Sequence, residues 1–252
     1  MQKIKKIIKH LITLIYPRIE YVEVDGSVIS SPGMRTGGKE FKDDMYYINS
    51  AENEAKKLID SFQINNDSVL LDIGCGQGRL PIGLLRILGK INYIGLDVDK
   101  YSIRWCDKYL NRKKEFYKFT HLDLYNERYN KDGVKFDNTY RFDITDNSID
   151  LIYLYSVFSH TNEEDMKIYL NEFSRILKKK GNVFFTTFVE ENVPDFTINP
   201  EDYYLGIRGP LHVVRYNKEY LFSIIDDLGF NISKFDHGNE ANGQSGLYLK
   251  IK

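Results

Sequence analysis

A glycine-rich turn carries the first chemical signal in the sequence. The short apolar run Val69–Ile73 leads into Gly74-Cys75-Gly76-Gln77-Gly78, and Asp72 lies two residues before the first glycine. Such a run predicts a buried strand that turns directly into a helix. Glycines at this kind of turn let the backbone approach a ligand and adopt dihedral angles that a side chain forbids. The pattern predicts a ligand-binding turn, with a bare structural turn as the alternative.

The spacing of the glycines points away from a dinucleotide, because dinucleotide sites show G-x-G-x-x-G whereas this turn has G-x-G-x-G. A second acid, Asp97, ends the next apolar run, about 20 residues beyond the glycines, where a carboxylate can accept hydrogen bonds from both ribose hydroxyls. The alternative for Asp97 is a helix N-cap. Asp99, next to Lys100, is the better candidate for that cap.

Two further segments end predicted strands at the same edge. Thr120-His121-Leu122-Asp123-Leu124 closes the third strand, where Asp123 either meets a ligand or starts a turn, and His121 is expected to be structural. The strongly apolar run Ile149–Tyr155 is followed by Ser156-Val-Phe-Ser-His160. Open α/β sheets place ligands beside the carboxyl ends of such strands, at the point where the strand order reverses.

Together these segments resemble the class I S-adenosylmethionine-dependent methyltransferases. The resemblance implies that Asp72 helps to hold the methionine ammonium, directly or through water, that Asp97 binds the ribose, and that Asp123 meets the adenine amino group. The other implied cofactor contacts lie in the glycine turn, after the second and third strands, and in the loop that faces the reactive methyl: Gly74, Cys75, Gly76, Gly78, Arg79, Val98, Leu124, Tyr155 and Ser156.

A narrower likeness covers the chain from about Thr36 to its end. The segments "GCGQGR", Ile103-Arg-Trp105-Cys106, Tyr129-Asn-Lys-Asp-Gly133, "SVFSH" and "YLNEFSRILKKKG" resemble a bacterial group. Many members of that group are encoded among genes for sugar transfer or surface polysaccharide assembly. The likeness implies O-methylation of a sugar, a nucleotide-linked group, or a phosphoryl or phosphoramidate group in capsule or surface-glycan biosynthesis. Lys179 and Lys180 stand where the group has Pro and Gly, away from the expected cofactor contacts.

Strand and helix patterns alternate along the chain, which predicts an α/β fold: a Rossmann-like seven-stranded mixed sheet, with a parallel core and a C-terminal antiparallel hairpin, flanked by helices. The expected strands are Val69–Ile73, Asn92–Leu96, Phe116–Leu122, Ile149–Tyr155, Val183–Phe188, Ile232–Asp236 and Leu247–Ile251, with a turn over Lys178–Asn182. The expected helices are 42–63, Leu80–Leu88, Tyr101–Leu110, Glu163–Leu177 and Lys218–Leu228. Residues 42–252 form the predicted domain, preceded by an amphipathic helix and a loop over 21–41.

A hydroxyl acceptor must lose its proton during methyl transfer, and histidine suits that task. His160 is the first candidate base because it follows the fourth strand, and His212 and His237 compete with it. An insertion at about 190–216 is predicted to bind the acceptor. Aromatic faces stack on rings and arginines bind phosphates or carboxylates, which selects Tyr203, Tyr204, Arg208, Arg215 and, in the N-terminal loop, Arg35. The alternative is a surface loop with ordinary packing.

Composition narrows the partners. The formal net charge of −1 gives no reason to expect nucleic acid, so we expect a small-molecule or glycan acceptor. Two cysteines form no disulfide pattern, no metal-ligand spacing occurs, and a cytoplasmic location fits. Residues 1–18 are basic and amphipathic, and they either pack on the domain or touch the inner face of a membrane. A nitrogen- or macromolecule-directed methyltransferase and a non-catalytic binding module stay open, as does the oligomeric state, whereas the glycine spacing weakens a dehydrogenase.

Overall fold

A computed structural model of the chain describes residues 20–111 and 115–252. The basic helix predicted within residues 1–18 lies outside the described residues. Within the described ranges, no helix is both long and apolar enough to cross a membrane.

The described chain begins with a β-hairpin, which corrects the prediction of a loop over residues 21–41. Strand β1 (Tyr21–Val24) pairs antiparallel with β2 (Ser27–Ser30). The connecting residues Asp25 and Gly26 have φ angles of 46° and 73°. Left-handed backbone at both positions of a two-residue connection is the geometry of a type I′ turn, whose twist matches that of paired strands. A 3-10 turn over Lys39–Lys42 then leads into the first α-helix.

The other elements alternate along the chain as predicted. The helices are α1 (Asp44–Phe62), α2 (Arg79–Leu88), α3 (Lys100–Tyr109), α4 (Glu163–Ile176) and α5 (Lys218–Asp227). The strands are β3 (Val69–Ile73), β4 (Asn92–Asp97), β5 (Tyr117–His121), β6 (Ile149–Leu154), β7 (Leu177–Glu190), β8 (Phe196–Ile198), β9 (Val214–Asn217), β10 (Phe230–Asp236) and β11 (Ser245–Ile251). Asp99 caps α3 by accepting from the backbone N–H groups of Tyr101 and Ser102, which confirms its expected role.

The main sheet has the order β10-β11-β7-β6-β3-β4-β5. Strands β7, β6, β3, β4 and β5 are parallel, and β11 pairs antiparallel with β7 and with β10. The predicted parallel core with a C-terminal antiparallel hairpin is therefore confirmed.

The predicted count of seven strands is low, because the insertion adds two short strands to make nine. Strand β9 pairs in parallel with the last residues of β7, and β8 pairs antiparallel with β9. The turn predicted over Lys178–Asn182 is also wrong, since β7 already begins at Leu177. The register between β7 and β6 shifts over these residues: Leu177 is paired with Ile149, and Asn182 is paired with Leu151.

Apolar side chains cover both faces of the sheet. Along β3, Leu71 and Ile73 join a core with α4 and α5, whereas Leu70 joins a second core with α1, α2 and α3. Residues 122–148 form no helix and cover β4 and β5 on the first face, where Phe142 is buried. Together with one face of β4 and β5 they enclose a cavity of about 360 Å³, which extends from Ile94 and Lys118 to the residues after β5.

Candidate active site

The glycine turn, Gly74–Gly78, leaves the end of β3 beside the end of β4. The backbone N–H groups of Gly74 and Cys75 donate to the carbonyl oxygen of Leu96 at 2.7 and 3.1 Å. Gly74, Gly76 and Gly78 have φ angles of 80°, 51° and 72°. A methyl group on Gly74 would lie 2.5 Å from Val157 Cγ2, whereas the space beside Gly76 is open. A ligand can therefore approach the backbone most closely at Gly76.

Asp97, at the end of β4, fixes the glycine turn. Its Oδ2 atom accepts from the N–H of Gly76 at 2.7 Å, and Oδ1 accepts from the N–H of Asp99 at 2.7 Å. Burial raises the pKa of Asp97, and the N–H groups of Asp99 and Gly76 oppose that rise. A carboxylate offers about four acceptor positions, so about two are left for ligand hydroxyls. The geometry fits a ribose contact, and the helix cap belongs to Asp99.

Asp72 lies beneath the glycine turn, and its residue is only 2% exposed. The hydroxyl of Tyr93 donates to Asp72 Oδ2 at 2.5 Å. Burial raises the pKa of Asp72 to about 7, the Tyr93 hydrogen bond opposes the rise, and the charge of Asp97 adds to it. Little of Asp72 is exposed beside the turn, and the contact with the methionine ammonium predicted for it, directly or through water, stays a prediction.

The side chains of Cys75 and Arg79 pack against the helices and the loop around the glycine turn. The Cys75 thiol is buried in the core beneath α2 and α3. The Arg79 guanidinium donates to the carbonyl oxygen of Ser50 at 3.1 Å and lies over the Tyr155 ring. These side chains join the glycine turn to the surrounding helices, and the cofactor contacts predicted for Cys75 and Arg79 stay predictions.

A buried amide holds the loop that follows β6. Ser156 has a left-handed backbone, with φ of 57°, and its N–H donates to Thr186 Oγ1 at 2.8 Å. The Gln244 side chain donates to Ser156 Oγ and accepts from Thr186 Oγ1, each at 2.7 Å. Such a conformation costs about 1–3 kcal/mol unless neighbouring groups impose it. Gln244 therefore fixes the loop after β6, and the sequence pattern does not single it out. The Tyr155 hydroxyl, in the same loop, donates to Glu240.

Asp123 and Leu124 follow β5 at the rim of the 360 Å³ cavity. The N–H of Leu122 donates to the carbonyl oxygen of Asp97 at 2.9 Å, which brings Asp123 next to the tip of β4. Asp123 is exposed and accepts from Asn130 Nδ2 at 3.1 Å, while Leu124 is buried. Val98 is half-buried against the same core. Asp123 and Leu124 line the cavity, whereas Val98 and Asp97 are not among its lining residues, so the adenine contacts predicted for Val98, Asp123 and Leu124 stay predictions.

Two of the three candidate bases meet at this edge of the sheet. The rings of His160 and His212 are stacked, with centroids 6.4 Å apart. His160 Nδ1 lies 3.0 Å from the carbonyl oxygen of Leu211, so this nitrogen carries the proton and Nε2 is the acceptor. Burial lowers the pKa of His160 to about 4, the Leu211 hydrogen bond opposes this, and the charge of Arg128 adds to it. His160 is therefore neutral at pH 7.

His237 occupies a separate position after the end of β10. Its Nε2 atom lies 3.0 Å from the carbonyl oxygen of Val189 and 3.5 Å from a carboxylate oxygen of Glu190. No contact in the described part of the chain joins it to the His160–His212 pair.

The insertion carries most of the predicted acceptor residues to the histidine pair. The Tyr203 ring lies 5.9 Å from that of His212, and Tyr204 is 70% exposed beside it. The N–H of Arg208 donates to His212 Nδ1 at 3.0 Å. Arg215 differs, because it forms an ion pair with Asp202 at 2.8 Å within the insertion.

Arg35 is not an acceptor contact in this structure, which corrects its assignment. The residue is 3% exposed, and its guanidinium donates to the carbonyl oxygens of Ser30 and Phe41 at 2.7 and 3.0 Å. It also pairs with Asp44 at 2.5 Å. These hydrogen bonds hold the N-terminal segment against α1.

The structure adds Arg128 and Tyr129 to the site. Arg128 Nη1 donates to the carbonyl oxygens of Arg208 and Pro210 at 3.0 and 3.2 Å, and the Tyr129 ring lies 5.9 Å from that of His160. Arg128 and Arg208 are 80 positions apart in sequence, so no local pattern reveals the contact. Among the residues described, no group of three or more His, Cys, Asp or Glu side chains is placed to hold a metal ion.

Comparison with known proteins supports this description. Residues 71–183 match a family described as a methyltransferase domain. A stretch of 61 residues is 43% identical to an uncharacterized protein of Methanocaldococcus jannaschii, and it covers 22% of this chain. This chain spans 27% of the length of that curated relative.

Solved structures share the fold at low sequence identity. A SAM-dependent methyltransferase from Aquifex aeolicus has a TM-score of 0.53 and 17% identity, over 84% of this chain and 100% of that one. The glycopeptide N-methyltransferase MtfA complexed with S-adenosyl-L-methionine has a TM-score of 0.55 and 12% identity, over 80% and 94%. The mitomycin 7-O-methyltransferase MmcR has a TM-score of 0.55 and 11% identity, over 81% and 54%. The chain therefore has the class I methyltransferase fold, and its residues 71–183 carry the sequence pattern of a methyltransferase domain.

Proposed function

We propose that this protein is an S-adenosylmethionine-dependent methyltransferase. Its acceptor is an oxygen of a sugar, a nucleotide-linked group, or a phosphoryl or phosphoramidate group in bacterial capsule or surface-glycan biosynthesis. The proposed cofactor site is supported by one observation: Asp97 accepts a hydrogen bond from the N–H of Gly76, and the space beside Gly76 is open. The acceptor half is supported by the narrower bacterial likeness and by the tyrosines and arginine that the insertion brings to the histidine pair.

Three features at the ends of β3, β4 and β5 fit the three parts of the cofactor. Open backbone at Gly76 suits the amino-acid part, which carries no phosphate and needs close approach. Asp97 keeps acceptor capacity for a ribose diol. The apolar cavity rimmed by Asp123 suits a flat base whose amino group can donate to a carboxylate.

When bound, the cofactor supplies an electrophilic methyl group on a sulfonium. The protein must align an acceptor oxygen with that methyl and exclude water. Val157 joins the two halves, since its side chain faces Gly74 and its carbonyl oxygen accepts from the N–H of His160 at 2.9 Å. Neutral His160, with Nε2 as proton acceptor, is the candidate base that takes the proton from the acceptor hydroxyl.

Binding of S-adenosylhomocysteine, measured by calorimetry, tests the cofactor half. We expect Asp97→Asn to weaken binding by tenfold or more, because an amide keeps only one oxygen for the contacts that Asp97 makes and offers. Asp67→Asn is the matched control, since Asp67 is exposed just before β3, at the opposite edge of the sheet. Wild-type protein that fails to bind this ligand would refute the proposal.

Transfer of a labelled methyl group tests the acceptor half. Sugar phosphates and nucleotide-activated sugars should become labelled, and the label should sit on oxygen. Transfer to peptide or RNA, with none to these acceptors, would contradict it. The shared fold does not choose the acceptor atom, because solved structures of similar fold include an N- and an O-methyltransferase.

A further inference from the structure

Two arginines beside the histidine pair lack an acidic partner. In the described residues, Arg35, Arg86, Arg141, Arg175 and Arg215 form ion pairs with carboxylates. Within the same part of the chain, Arg128 and Arg208 form none. They are neighbours, because a guanidinium nitrogen of Arg128 donates to the carbonyl oxygen of Arg208. Among the described residues, neither of these two guanidinium groups beside the histidine pair is paired with a carboxylate.

The arrangement leaves hydrogen-bond donors free. Arg128 uses Nη1 on the Arg208 and Pro210 carbonyls and Nε on the Tyr129 hydroxyl, so its Nη2 group has no partner in the described ranges. The side chain of Arg208 is exposed and makes no hydrogen bond there. His212 is next to both, because its Nδ1 atom accepts from the N–H of Arg208, whose carbonyl oxygen accepts from Arg128. Burial, followed by the charges of Arg128 and Arg208, lowers the pKa of His212. Arg128, Arg208 and His212 are thus joined through the backbone of Arg208, and both guanidinium groups keep unused donors among the described residues.

We propose that Arg128, Arg208 and His212 form an anion site that binds a phosphate group of the methyl acceptor. The inference rests on the proposed function and narrows its acceptor to a phosphorylated one. Guanidinium groups match the oxygen geometry of phosphate and bind it with charge-assisted hydrogen bonds. The ring centroids of His212 and His160 are 6.4 Å apart, so a phosphate bound at His212 would lie close to the candidate base, His160.

Exposed aromatic faces flank the same position. Tyr129 is 53% exposed and Tyr204 is 70% exposed. Exposed tyrosine rings offer flat apolar surfaces for a sugar or a base. The site thus fits a phosphate ester of a ring compound. A long polyanion is disfavoured, because the whole chain carries a formal net charge of −1.

Calorimetric titration with pyrophosphate tests the anion site without any assumption about the acceptor. We expect Arg208→Gln to weaken pyrophosphate binding by about tenfold, the effect of losing one charge-assisted hydrogen bond. Arg208→Gln is the informative variant, because the described structure uses only the backbone of Arg208. Arg128→Gln should weaken binding further but also releases the 208–210 segment. Arg104→Gln, which removes an exposed arginine on α3, is the charge-matched control and should bind as wild type does.

Unchanged binding in Arg208→Gln would overturn the anion site, and so would an equal loss in Arg104→Gln. Acetate that binds as tightly as pyrophosphate would overturn the assignment to phosphate. The same samples titrated with S-adenosylhomocysteine separate the two proposals. Wild-type protein that binds pyrophosphate but not S-adenosylhomocysteine would refute the methyltransferase, whereas wild-type protein that binds S-adenosylhomocysteine but not pyrophosphate would refute only this inference.

Discussion

Gly76→Ala distinguishes a cofactor cradle from a bare structural turn. The φ angle of Gly76 is 51°, and no atom lies within 4 Å of the methyl that alanine would add. The protein itself can therefore accommodate that methyl at the cost of left-handed strain, about 1–2 kcal/mol. For a chain of this length, each kcal/mol lowers the melting temperature by roughly 2–4 °C. If the open space holds the amino-acid part of the cofactor, the methyl occupies it, and binding of S-adenosylhomocysteine should weaken by more than tenfold, or about 1.4 kcal/mol.

Gly89→Ala supplies the matched control. Gly89 has φ of 73°, is equally free of neighbours, and follows α2 at the opposite edge of the sheet. Both variants should therefore melt a few degrees below wild type in a thermal unfolding assay. Only Gly76→Ala should lose affinity in calorimetry. Equal cofactor affinity in the two variants would refute the cradle, because the turn would then matter only to the fold.

Three further results are expected. Gln244→Leu leaves the hydroxyl of fully buried Thr186 without its acceptor, which should cost about 1–3 kcal/mol in urea unfolding; an unchanged midpoint would contradict the role of Gln244. The pKa of His160 is lowered from 6.5 to about 4, so His160 binds a proton more readily in the unfolded chain. The free energy of unfolding of the wild type should therefore be at its full value above pH 6.5 and fall by about 3 kcal/mol as the pH drops towards 4. In His160→Gln this loss should be smaller. His160→Gln should also lower the methyl-transfer rate by about 10²–10⁴-fold, and the wild-type rate should show no inflection near pH 6.5 from this residue.

The sequence predicts strands β3 to β6 well because their signals are local. Strand β3 is an apolar run that leads into Gly74, β4 and β6 are mostly apolar, and β5 alternates between buried and exposed residues. The parallel ladder then aligns the strand ends. Asp97 faces His121 in the parallel register, so the acids after β4 and β5 reach one edge. The sequence also contains a signal for the hairpin at Asp25-Gly26, because Asp-Gly between alternating apolar residues is a strong short-range turn signal.

Burial and long-range pairing account for what the sequence does not predict. Arg35 sits in a loop rich in Gly, Ser and Pro, and nothing local shows that its guanidinium points inward to Asp44. Strands β8 and β9 are only three and four residues long, so neither shows a period. The Gln244 amide reaches Ser156 from 88 positions away. Such contacts depend on how the insertion and the terminal hairpin close over the sheet.

Under the proposed function, the topology separates the groups that bind the cofactor from those that bind the acceptor. The groups that fit the cofactor lie at the ends of β3, β4 and β5, while the histidine pair lies between the loop after β6 and the insertion that leads into β9. Val157 touches both, through Gly74 on one side and His160 on the other. Since the parallel register sets the first group and the insertion sets the second, a change of acceptor needs a new insertion but no change at Gly76 or Asp97.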